Sequence, residues 1–155
     1  MIPLAISLHV LSAVIWVGGM FFAYLVLRPI AAIQFEPPQR LTLWSNVFAK
    51  FFPWVWVSVV LLLGTGFWLI AVKFGGMKNV GAHIHIMMSM GIIMALIFMH
   101  LFFAPARRLT KAVSEHNWEE AAKSLAKIRM LIAINLMFGL IVIVVATAGR
   151  YLFNQ

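Results

Sequence analysis

GAHIHIMMSMGIIMALIFMHLFFA, running from Gly81 to Ala104, decides how the chain is read. It carries no Asp, Glu, Lys or Arg and exceeds the ~20 apolar residues that a helix needs to cross the hydrocarbon core of a bilayer. It also holds His83, His85 and His100, with Met87, Met88, Met90, Met94 and Met99 among them. Imidazoles at membrane depth are costly, so they mark a functional site by default. Three other runs share the apolar character, from Ile2 to Leu27, Phe52 to Val72 and Met130 to Leu152. Within lipid each segment must satisfy its own backbone, which makes helices of them. The prediction is an all-α integral membrane four-helix bundle, up-down-up-down, forming one domain over residues 1–155 with spans at about 2–27, 52–72, 81–104 and 130–152.

Composition agrees, since 64% hydrophobic and 10% charged residues exclude a soluble globular chain. The absence of cysteine excludes disulfides, thiolate metal sites and a thiol nucleophile. The first run lacks a basic leader and a small-residue cleavage site, so it is expected to be a retained span rather than a signal peptide. The net charge of +8 needs no nucleic-acid partner. Nine of the 12 basic residues fall in two connections: Arg28, Arg40 and Lys50 in the first, and Arg107, Arg108, Lys111, Lys123, Lys127 and Arg129 in the third. The positive-inside rule makes these connections cytoplasmic and places both termini on the periplasmic side of a bacterial inner membrane.

The connections carry expectations of their own. All four acids, Glu36, Glu115, Glu119 and Glu120, lie in them, which leaves no carboxylate at membrane depth. Pro37 and Pro38 predict a short helix over Leu41 to Phe51 that leads into the second span. The amphipathic third connection is expected to lie on the inner membrane face. Trp44, Trp54, Trp56, Trp68 and Trp118 are expected to be interfacial anchors.

Helical phase sorts the candidate ligands. At ~100° per residue, Trp16 and Met20 lie roughly 20° to either side of His9, so the three make one stripe. In the third span His85, Ser89, Leu96, His100 and Phe103 fall on one face, and His83, Met87, Met90 and Met94 on the opposite one. Only one of the two can line the interior. A histidine as deep as His100 is costly against lipid, so the expectation turns His85, Ser89 and His100 inward and the methionine stripe outward. Ser58 and Thr65 share a face of the second span, with Gly64 and Gly66 beside them, and Asn135, Gly139, Ala146 and Gly149 share one on the fourth. Such residues allow close helix packing.

Two inward imidazoles at similar depth, His9 and His85, suit the axial positions of a b-type haem, with Trp16, Met20, Ser89 and His100 near the cofactor. This is the leading expectation: a haem-binding electron-transfer protein, or a haem-dependent membrane oxidoreductase. The alternative is copper, passed along His83, His85, Met88 and His100, because imidazole and thioether suit Cu(I). A structural subunit of a larger membrane complex, or of a homo-oligomer, is the third reading.

The segment from His9 through Trp16 to Gly18 and Gly19, together with the third-span ending His100-Leu-Phe-Phe-Ala-Pro-Ala-Arg107-Arg108, resembles the copper resistance protein D (CopD) family. The first-span spacing is also similar to that of the HemJ family, whose corresponding histidine is implicated in haem binding. HemJ proteins carry a third-span lysine, and none stands between Met87 and Met90 here. The CopD resemblance implies copper handling in the inner membrane beside a periplasmic copper carrier; the haem reading calls instead for an electron carrier.

Overall fold

The computed structural model describes residues 1–152. Four long helices account for most of them: α1 (Ile2–Gln34), α2 (Pro37–Phe74), α3 (Ala82–Ser114) and α4 (Trp118–Leu152). All are long and apolar enough to cross a membrane. At ~1.5 Å per residue each is about 50 Å long, against ~30 Å of hydrocarbon. Every helix therefore extends past its apolar run, and does so at the end rich in Lys and Arg.

That extension corrects two expectations. α2 is continuous from Pro37, with no separate helix over 41–51. The third connection does not lie flat on the membrane, because α3 and α4 continue into it as an antiparallel hairpin. Its apolar stripe, Leu109, Ala112, Ala121, Leu125 and Ile128, is buried in the protein. A partner helix covers such a stripe more completely than a lipid surface can.

Local chemistry sets the ends. Glu36 is extended and Pro37 takes the first helical position of α2, where a missing N–H costs nothing. α2 closes on Gly75 at φ 68°, a left-handed conformation that glycine adopts freely. The Asn117 side chain accepts the Glu120 N–H at 3.2 Å and caps α4. Two π-helical segments interrupt α1 and α3, at Phe22–Leu27 and Phe102–Ala106. Pro29 follows the first and Pro105 lies in the second. Each proline removes an N–H and crowds the carbonyl four residues back, which the wider turn accommodates.

α1 packs chiefly on α2, and α3 on α4. The two pairs are joined by an aromatic core toward the basic end. Phe98 stands edge-on to Trp16, Phe52 and Trp56, with centroids 6.1, 5.6 and 5.3 Å away. Phe52 stacks on Phe48 at 5.0 Å, which in turn meets Trp44 at 5.2 Å. Trp44 is thus a core residue rather than an interfacial anchor and Trp56 is half-buried against that core, whereas Trp54 is exposed. Toward the opposite end burial thins out: beyond Val59 only Ile70 is buried on α2, and no residue of α3 before Met94 is.

Candidate functional site

On α1 the expected stripe faces inward. Trp16 and Met20 are each 3% exposed, and His9 is half-buried. His9 Nδ1 lies 2.8 Å from Thr65 Oγ1 on α2. Thr65 has one hydroxyl proton and donates it to the carbonyl of Leu61, one turn back. With that proton directed at Leu61, the oxygen is left to accept from His9 Nδ1–H, the tautomer that leaves the lone pair on Nε2. A ring nitrogen held as a donor while the other is left bare is how proteins orient a metal-binding histidine. Gly66 lies beside the ring, where a Cβ would stand in ordinary contact 3.4 Å from His9 Cε1.

On α3 the two faces are the reverse of the sequence-based assignment. His85, Ser89, Leu96, His100 and Phe103 are exposed. His83, Met87 and Met90 are half-buried, and Met94 is 4% exposed. Met88 is half-buried between the two faces. The reason lies in the shape of α4. Gly139 leaves a hollow that Val17 and Met94 fill, where an added Cβ would come within 2.8 and 3.3 Å of them. Gly149 likewise admits His83, whose Cβ would lie 2.8 Å from such an atom. Bulky flexible side chains fit these hollows, and His85, near the mouth of the span, can extend toward the headgroups.

A b-type haem clasped between His9 and His85 does not fit this arrangement. His85 is exposed, while His9 is turned onto Thr65. Among the described residues no three His, Asp or Glu side chains converge. The donors that the bundle does cover are the thioethers of α3, Met20 on α1, and the single imidazoles His9 and His83.

Two buried polar groups sharpen the picture. His83 Nδ1 is buried without a hydrogen-bond partner among the described residues. Asn135, 2% exposed, donates from Nδ2 to the Met94 carbonyl at 3.2 Å and so fixes α4 against α3 beside the thioether stripe. Its Oδ1 has no partner among the described residues. Asn135 also lines an apolar cavity of about 250 Å³ with Trp16, Met20, Phe48, Phe52 and Phe98. The sequence marked Asn135 only as a small polar packing residue, and its spacing from Met94 carries no signal of the contact.

The fold and its seams define a small polytopic membrane protein in contact with lipid along four spanning helices. The family model for copper resistance protein D matches residues 45–148, more than half of the chain, and the chain belongs to that family. The match begins after the first span, so the His9–Gly19 motif behind the HemJ likeness lies outside it. No curated protein and no solved structure gives a significant match.

Proposed function

We propose that this protein handles copper in the bacterial inner membrane, taking Cu(I) on thioether and imidazole donors and passing it along the α3/α4 seam. The observation that carries the reading is the inward turn of the stripe His83, Met87, Met90 and Met94, which becomes more covered with depth. Methionine also fills irregular gaps in apolar cores. Here the stripe begins at an imidazole whose buried nitrogen has no partner among the described residues, and both ligand types suit Cu(I). His9, with Nε2 bare, is a second donor on the α1/α2 seam. The basic end faces the cytoplasm under the positive-inside rule, so His9 and His83 stand at the periplasmic side, where a copper carrier would deliver the ion. His85 and His100, exposed, have no part in this path.

Titration of the purified protein with Cu(I) against a chromogenic chelator tests the proposal. Replacing Met90 and Met94 together by Leu, which preserves volume and removes both sulfurs, is expected to weaken binding at least tenfold, about 1.4 kcal/mol or more. Unchanged affinity in that variant contradicts the proposal. An intense Soret band in the protein as purified reinstates haem in its place.

A further inference from the structure

We propose that Arg28, Arg40 and Arg129 form a binding site for a phosphate group, supplied by an anionic phospholipid headgroup or by free phosphate. The three come from different helices at the basic end of the bundle: Arg28 follows the π-helical segment of α1, Arg40 lies in the first turns of α2, and Arg129 is on α4. They differ from every other Lys and Arg whose side chain is described. These three are half-buried, and the others are exposed. Burial and the charges of Arg28 and Arg40 act in the same sense on Arg129, which puts Arg129 within repulsive reach of each of the other two.

No carboxylate among the described residues pairs with the three, and the Tyr24 phenol acts on Arg129 in the opposite sense to the two arginines. The ion pairs found there are Lys111 with Glu115 and Lys123 with Glu119, both elsewhere on the surface. The Arg28 guanidinium sits 4.8 Å from the centre of the Tyr24 ring, and Arg40 Nη1 reaches the Ala32 carbonyl at 3.5 Å. Those contacts orient the side chains without neutralising them. Arg40 Nε and Arg129 Nε are buried with no hydrogen-bond partner among the described residues. Partly buried cations with unused donors are costly unless an anion joins them. Guanidinium groups present planar forks that match phosphate oxygens two at a time. Basic pockets between spanning helices on the cytoplasmic side suit phosphorylated headgroups.

The test uses the full-length protein, delipidated in a neutral detergent, with thermal unfolding and native mass spectrometry as readouts. Phosphatidylglycerol is expected to raise the melting temperature and to stay bound in the spectrometer, and phosphatidylcholine to do neither. Arg129→Gln and Arg40→Gln are each expected to weaken the phosphatidylglycerol response at least fivefold, with Arg108→Gln, on an exposed position, matching wild type. A parallel titration with inorganic phosphate separates the sources: equal protection by phosphate alone assigns the site to the free ion, and protection by the lipid alone assigns it to the headgroup. The two Gln variants guard against a single failure to fold. A lipid and phosphate response unchanged in both, or no response of the wild-type protein to either probe, overturns the proposal.

Discussion

The two halves of this bundle are built on different principles. Toward the basic end, Trp16, Trp44, Phe48, Phe52 and Phe98 form a buried aromatic core around an apolar cavity of about 250 Å³, with Trp56 packed against it. Toward the other end, helices meet through few covered side chains, and the histidines His9, His83 and His85 are found there. Rings that bury large areas with defined edge-to-face geometry hold α1, α2 and α3 together. A loosely packed half has little stability of its own and opens locally at low cost. An ion entering a membrane protein needs such an opening. The difference teaches that stability and ligand chemistry are separated along the membrane normal, with Met94 and Asn135 at the boundary.

The largest effect on stability is expected in the aromatic half. Phe98→Ala removes the ring on which α1, α2 and α3 converge and is expected to cost ~3–5 kcal/mol, read as unfolding free energy in detergent. Val10→Ala, at an exposed site in the open half, should stay within ~0.5 kcal/mol. At the boundary, Gly139→Ala forces a Cβ against Val17 and Met94 and is expected to cost ~1–3 kcal/mol. The same substitution should weaken Cu(I) binding, because the methionine must move.

Smaller effects sharpen the reading of the open half. Thr65→Val removes the acceptor for His9 Nδ1–H at a cost of ~1 kcal/mol and releases the ring to either tautomer. Nitrogen NMR of His9 should show one tautomer in the wild-type protein and in Thr65→Ser, and a mixture in Thr65→Val. His85→Ala and His100→Ala, on the exposed face of α3, are expected to change stability by no more than ~0.5 kcal/mol and Cu(I) affinity not at all. A large loss in either would return those residues to the interior path.

The four helices were legible because apolar length is a direct physical requirement of the bilayer, and the inward stripe of His9, Trp16 and Met20 because phase on one helix is simple arithmetic. The facing of α3 was not legible. Both of its faces carry histidine, and the cost of a deep imidazole pointed one way while the hollows at Gly139 and Gly149 decided the other. Shape complementarity depends on the partner helix and on register, which no periodicity within α3 contains. Trp44 and Trp56 were misplaced for a related reason: they lie near the ends of an apolar run, but α2 continues beyond it and packs along its extension. The arginine trio was visible only as charges in two connections, since its members are separated in sequence and lie on three different helices.

The central claim is that the thioether stripe of α3, and not the exposed His85 and His100, is the copper-binding element. X-ray absorption at the copper edge of the Cu(I)-loaded protein tests it most directly. Sulfur scatterers are expected around copper in the wild-type protein and in the His85→Ala, His100→Ala double variant, with loss of sulfur when Met90 and Met94 are replaced by Leu. A copper shell of nitrogen and oxygen alone, or one in which sulfur survives the loss of both methionines, would contradict it.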